Sequence, residues 1–299
     1  MRIFITGSDG QLGHELAQVL GSEELFLGRE PDQDITHVKI LDQISSFRPQ
    51  GVIHAAAYTD VDGCEKNRDL AHRVNAVGTH QVAQATEKSG AKMVYISTDY
   101  VFSGRKRKPY TETDTPSPIN VYGQSKWEGE QFVQQTCSRH VILRTSWLYG
   151  RVGKNFVRTI LNKSTQEAEL RVVDDQVGCP TYAKDLAEVI SVIMKQDVYG
   201  LYHAAGQGTC SWFEFAEEIL KLAGISKKVI AMGTQELKRP ARRPRYSVLS
   251  QKKLNGLGIS LRNWKEALQE FMTTEIRGIS DGHERTFMAT ESGSKDYQE

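Results

Sequence analysis

Cysteine is scarce here, 4 residues in 299, and proline not much commoner at 8. Cys64, Cys137, Cys179 and Cys210 stand far apart with no C-x-x-C pair. That spacing speaks against a disulfide framework or a zinc site and leaves four packed, reduced thiols as the expectation. The 8 histidines include no H-x-x-x-H pair, so no metal is expected. No apolar stretch approaches the roughly 20 residues needed to cross a bilayer. The first apolar run, Ile3-Phe4-Ile5, is too short for a signal peptide, and a cytoplasmic protein without a membrane partner is expected. Charge of one sign is missing too: 38 Lys+Arg against 37 Asp+Glu leave +1, which suggests neither a nucleic-acid binder nor a disordered acidic chain. A length of 299 residues allows one large α/β unit or two interlocked domains and needs no covalent staples.

What is present is alternation. Short apolar runs at 2–6, 25–27, 51–55, 92–97 and 140–144 are separated by helical patterns, such as Leu12, Leu16, Val19 and Leu20, or the long segment 69–89. This predicts β-α-β units and a doubly wound parallel sheet, an α/β Rossmann fold. After Tyr149 the pattern loosens, with helices expected at 155–161, 184–194 and 212–223 and strands at 170–173 and 201–204. The division expected is a dinucleotide-binding domain, 1–149 with about 183–205 returning to it, and a smaller interleaved α/β substrate domain, 150–182 and 206–277. Residues 278–299 are polar and poor in aliphatics, and read as an appended tail.

Directly after the first run comes Gly7-x-x-Gly10-Gln11-Leu12-Gly13, a glycine-rich turn opening a helix. Glycine lets backbone approach a diphosphate, and the first helical N–H groups, at Gln11 and Leu12, complete an anion site. Dinucleotide binding is therefore expected here over a plain turn. The second run ends Gly28-Arg29-Glu30. Arg29 suits the 2′-phosphate of NADPH and Glu30 the 2′-hydroxyl of NADH, so NADPH is expected with NADH as the alternative. Asp34-Ile35 lies where such folds often cover the adenine, and Ala55-Ala56-Ala57-Tyr58 follows the third run with small residues against which a cofactor can lie.

Tyr122 and Lys126, four apart, share one face of a helix. An ammonium near a phenol lowers its pKa and makes it usable in proton transfer. With 11 tyrosines the spacing alone is a feeble signal. Position adds weight, because Ser97-Thr98-Asp99-Tyr100 closes the fourth run and places the Thr98 hydroxyl at the carboxyl edge of the sheet. A hydroxyl, a phenol and a lysine around a nicotinamide make a carbonyl-reduction site.

The motifs quoted so far, with Thr59, Asp62 and Glu65, resemble an extended short-chain dehydrogenase/reductase. A second layer is narrower: Arg144-Thr145-Ser146-Trp147-Leu148-Tyr149, Asn155-Phe156, Asp175-Gln176-x-Gly178-x-Pro180-Thr181 and Arg243-Pro244 are similar to the dTDP-4-dehydrorhamnose reductase family over residues 1 to about 275. The resemblance implies NAD(P)H-dependent reduction of the C4 ketone of dTDP-4-dehydro-L-rhamnose to dTDP-L-rhamnose, for rhamnose-containing surface polysaccharide. It implies Tyr122, Lys126 and Thr98 as catalytic residues, substrate contacts at Thr98, Asp99, Trp147, Asn155, Gln176 and Arg243, and a monomer or homodimer. The magnesium site of some family dimers maps onto no residues here. Two other functions share these motifs: a 4-epimerase with a retained NAD, and an NADP-binding regulatory subunit without catalysis. Trp147 reads either as a core plug or as a sugar platform. Arg105-Lys106-Arg107-Lys108 reads as a solvated loop, whereas Pro240 and Pro244 stiffen a second basic run from which Arg243 is expected to reach the substrate diphosphate.

Overall fold

A computed structural model of the chain describes residues 1–29 and 34–280; Glu30, proposed above for a ribose hydroxyl, and residues 281–299 lie outside the described residues. The first half contains β1 (Arg2–Thr6), α1 (Gln11–Val19), β2 (Glu24–Gly28), α2 (Lys39–Phe47), β3 (Gly51–His54), α3 (Val61–Lys66), α4 (Arg68–His72), α5 (Thr79–Lys88), β4 (Lys92–Thr98), α6 (Val121–Thr136) and β5 (His140–Thr145). The second half adds β6 (Leu148–Tyr149), α7 (Phe156–Gln166), β7 (Leu170–Val173), β8 (Val177–Gly178), β9 (Thr181–Tyr182), α8 (Ala183–Lys195), β10 (Gly200–His203), β11 (Cys210–Ser211), α9 (Trp212–Leu222), β12 (Val229–Met232), α10 (Lys252–Asn255) and α11 (Trp264–Ser280). Gly278, where a tail was expected, is still within α11. No helix among the described residues is long and apolar enough to cross a membrane.

Six parallel strands form the central sheet in the order β2-β1-β3-β4-β5-β10. Alternate residues of each strand feed opposite faces, as the two-residue period requires. Ile3 and Ile5 of β1, Ile53, Val94, Val141 and Leu143 join one cluster under α1 and α8, whereas Phe4, Val52, Met93, Tyr95 and Ile142 join another with α2 and α5. The chain winds outward from β1 to β2 and then, through α2, back to β3 on the other side of β1. That reversal opens a crevice at the carboxyl ends of β1 and β3, the usual ligand position in such sheets.

The chain leaves the sheet after β5 and returns to it. α8 packs on α1, β10 extends the sheet beyond β5, and the buried Lys92 ammonium caps the end of α8 by donating to the carbonyls of Ile193 and Gln196, both at 2.7 Å. A further cluster, built around Tyr149, Phe215, Trp264, Leu268 and Phe271, holds α7, α9 and α11 together with β7 and β12.

Candidate active site

The glycine turn sits where β1 meets α1. Gly7 has φ +67°, and a Cβ there would stand 2.7 Å from the Ala56 backbone. A Cβ at Gly13 would meet the Gly7 carbonyl oxygen at 2.1 Å, so α1 can approach the turn this closely only through glycine. At Gly10, the N-cap, no side chain caps the helix, and the first turn of α1 opens on a cavity of about 600 Å³. Gly7, Gly10, Gln11, Leu12, Gly13, Ala56 and Ala57 line one end of it, and Thr98, Asp99, Tyr122, Lys126 and Trp147 the other. Free helical N–H groups and small walls suit a dinucleotide diphosphate at the turn.

Tyr122 stands in the first turn of α6, whose N-cap Asn120 accepts from the Gly123 N–H at 2.7 Å and donates to the Arg242 carbonyl at 2.8 Å. A Cβ at Gly123 would lie 2.1 Å from the Tyr100 carbonyl oxygen, so this glycine lets the helix press against the end of β4. The Thr98 hydroxyl, which lines the same cavity as the Tyr122 phenol, donates to Asp99 Oδ1 at 3.1 Å. Lys126, one turn on and buried, holds its Nζ 4.3 Å from the centre of the Tyr95 ring.

The electrostatics depart from the sequence expectation. Burial pushes the Tyr122 phenol above its ordinary value, against a lowering by its bond to Thr98, and Lys126 contributes no resolved lowering. The lysine itself is pushed down to about 7 by burial, partly offset by Glu130. In the low-dielectric wall of the cavity desolvation outweighs the expected influence of the ammonium on the phenol.

A second chamber of about 860 Å³ adjoins the first, sharing Thr59, Val61, Tyr100, Lys154 and Trp212 as lining. Asn155, Gln176 and Arg243 line it, with the exposed Arg239 and Arg242. Arg243 is less free than expected. It grips Asp62 through both terminal nitrogens, at 2.5 and 2.8 Å, and donates to the Ala241 carbonyl. Burial alone would raise the Asp62 carboxyl, but Arg243 and the Ala241 N–H hold it below its usual range. Asn155 is occupied as well: it caps α7 by accepting from Arg158 N–H and donates to the Gly150 carbonyl and to Gln11. Gln176 accepts from the Trp212 indole at 3.1 Å and donates to Thr234.

Trp147 proves neither a simple plug nor an open platform. It is partly exposed, has φ +47°, and stacks on Trp212 with centroids 3.5 Å apart and planes 7° from parallel. Gly178 makes room for it, since a Cβ there would stand 2.4 Å from the indole. Ile35, expected over the adenine, is a core residue; burying an aliphatic side chain between sheet and helices favours that place. Neither it nor Asp34, Arg29 or Tyr58 lines the cavity, and Arg29 is exposed at the end of β2.

Two site residues escape sequence reading. Trp212 reads as an ordinary apolar helix residue, and only the fold stacks it on Trp147. Asn75 lies in a π-helical turn, Arg73–Gly78, and its amide holds the Tyr58 backbone N–H and carbonyl, at 2.8 and 3.0 Å, and donates to the Ser125 hydroxyl of α6. Apolar spacing carries no trace of that turn.

The family model of the RmlD substrate binding domain matches residues 1–276. The chain belongs to this family. Among proteins similar to this RmlD-family chain, the spore coat polysaccharide biosynthesis protein SpsK of Bacillus subtilis (strain 168) is 39% identical over 91% of this chain and 96% of its own length. The dTDP-4-dehydrorhamnose reductase of Escherichia coli (strain K12) is 36% identical over 92% and 99%. In three dimensions the chain is similar to the crystal structure of dTDP-4-dehydrorhamnose reductase from Bacillus anthracis str. Ames in complex with NADP, with TM-score 0.89, 42% identity and coverage of 91% of this chain and 99% of that one.

Proposed function

We propose that this chain reduces the C4 ketone of dTDP-4-dehydro-L-rhamnose to dTDP-L-rhamnose at the expense of NADPH, in the cytoplasm, for rhamnose-containing surface polysaccharide. The observation that carries the reading is the continuity of the two chambers: the glycine turn leads to Thr98, Tyr122 and Lys126, and beyond Tyr100 and Trp212 the cleft opens toward Arg239 and Arg242. Family membership, and the reductases at 36% and 42% identity, support the sugar nucleotide as substrate. On this reading residues 1–149 with 183–205 hold the cofactor, and 150–182 with 206–277 the dTDP-sugar.

When bound, the nicotinamide supplies a hydride to C4. The N-terminus of α1 would hold the cofactor's diphosphate, and Arg29, exposed just after β2, would favour a 2′-phosphate. Tyr122, kept neutral by burial, gives its proton to the C4 oxygen. Thr98, at the end of β4 and in the lining of the same cavity, would help orient that phenol. Lys126, in its ammonium form, stabilises the phenolate that develops. The stacked indoles of Trp147 and Trp212 bound the space for the sugar, and the arginines of the second chamber meet the diphosphate.

The test is NADPH oxidation by the purified protein, with and without enzymatically prepared dTDP-4-dehydro-L-rhamnose. Stoichiometric oxidation that depends on the sugar nucleotide supports the reading. Interconversion of a sugar nucleotide without net consumption of NADPH would make the chain an epimerase instead.

A further inference from the structure

Behind Thr98 lies a carboxyl for which the mechanism above has no use. Asp99 is only 2% exposed, yet it borders the cavity. Its Oδ1 accepts the Thr98 hydroxyl, while its Oδ2, also buried, has no hydrogen-bond partner. Thr98 in turn lines the cavity together with Tyr122 and accepts the Tyr100 N–H at 3.1 Å. A buried carboxyl oxygen without a partner costs several kcal/mol if charged, so such a group is retained in neutral form or for a purpose.

We propose that Asp99 recharges the reaction's proton donor through Thr98, as a positioning and proton-supplying residue. The inference rests on the ketoreductase reading. Once Tyr122 has protonated the C4 oxygen, the phenolate takes the Thr98 hydroxyl proton. The Thr98 oxygen takes the Asp99 carboxyl proton, and the carboxylate is recharged from water. Three O–H bonds break and three form, and no electrons change hands. The Thr98–Asp99 contact runs from threonine to carboxylate when Asp99 is ionised and in the opposite sense when it is protonated.

The groups facing Asp99 are Thr98 and Tyr100 beside it, Tyr122 on α6, Cys179 after β8, and Ser247 from the segment before α10. Burial pushes its carboxyl up to about 7, against lowering by Ser247 and Thr98. A protonated reservoir near neutral pH matches a reaction that consumes one proton per turnover. Lys126, pushed down to about 7, titrates in the same range and must be told apart from it.

The experiment is the pH profile of kcat and kcat/KM for wild type, Asp99→Asn, Thr98→Val and the double variant, with NADPH affinity and the unfolding midpoint as controls. The wild type should lose activity as pH rises through about 7, where Asp99 ionises. Asp99→Asn should lower kcat by about tenfold or more and remove the Asp99 share of that limb, leaving the share of Lys126, with NADPH binding unchanged. Thr98→Val, which cuts the relay and leaves Asp99 in place, should remove the Asp99 share too, and the double variant should be no slower than the slower single. If Asp99→Asn does not fold, Thr98→Val alone carries the comparison. A limb of unchanged midpoint and steepness in the variants belongs to Lys126 alone and overturns the proposal, as do an unchanged kcat in Asp99→Asn or losses that multiply in the double variant. A wild type that oxidises no NADPH overturns the ketoreductase reading as well; a normal wild type with an indifferent Asp99→Asn overturns this inference alone.

Discussion

At Tyr122 two influences oppose each other: burial, which favours the neutral phenol, and the Thr98 hydroxyl, which favours the phenolate. In this structure burial prevails, which suits the proton donor proposed above. Replacing Tyr122 by Phe removes that proton and little volume. The expected loss in kcat is about 10²–10⁴, with NADPH still bound, and near-normal turnover in a folded variant would remove Tyr122 from the reaction. The arginines of the second chamber divide differently from what the Arg-Pro motif suggests. Arg243 is tied to Asp62, so Arg243→Ala leaves a half-buried carboxylate unpaired and should lower both stability and kcat/KM. Arg239, exposed on the same wall, acts within the protein only as a nearby charge on Asp62 and Tyr100 among the described residues, so a ligand contact is its main expected loss. A charge-assisted contact of about 1.5–3 kcal/mol gives Arg239→Ala a roughly tenfold to hundredfold higher KM, with unchanged kcat and melting temperature. Equal KM values for Arg239→Ala and wild type would place the diphosphate elsewhere.

Among the elements, α1 shows best how sequence fixes the site. Its glycines are spaced for the turn, and the structure gives the reason in distances: a Cβ at Gly13 would collide with the Gly7 carbonyl oxygen at 2.1 Å, whereas at Gly10 its nearest neighbour is at 3.3 Å. Gly13→Ala should therefore weaken NADPH binding and lower the melting temperature by several degrees, since overpacking typically costs about 1–3 kcal/mol. Gly10→Ala should do less to stability, and calorimetry on both variants separates a packing need from a ligand need; equal melting temperatures would contradict the close-packing argument. The central strands were readable for the same local reason, because runs such as Ile3-Phe4-Ile5 are apolar on both faces and flanked by helical spacing. Less readable were the two-residue strands β6, β8, β9 and β11, whose partners lie far along the chain. The π-turn at Asn75 and the Trp147–Trp212 stack depend on tertiary contact and leave no periodicity to detect. Within the second chamber, sequence similarity named Arg243 and Asn155, but only geometry showed their donors already engaged by Asp62, Gly150 and Gln11.

Over the whole molecule, the chain's return through α8 and β10 makes the sheet one unit whose centre also stores acid sensitivity. His54 on β3 bridges Thr6 and Thr79 at 2.7 and 2.9 Å, and burial pushes it from 6.5 down to about 3. His203 on β10 is pushed down to about 3 as well, chiefly by burial and then by Arg144. Both are neutral in the folded protein at pH values where the unfolded chain is already protonated. Their stabilising share is thus complete above about 6.5 and is lost as pH falls toward 3, at up to about 1.4 kcal/mol per pH unit for each site. Denaturant unfolding of wild type and His54→Gln across that window should show the shallower slope in the variant, and identical slopes would refute the assignment. The central claim concerns the two chambers acting together, the cofactor's hydride arriving at the C4 carbon of a dTDP-sugar beside Tyr122. It is tested most directly by running the reaction with NADPH deuterated at its transferable nicotinamide position and locating the label in the sugar. The account predicts dTDP-L-rhamnose with one deuterium at C4 for each NADPH consumed; a product without deuterium at C4, or no product from the sugar nucleotide, would contradict it.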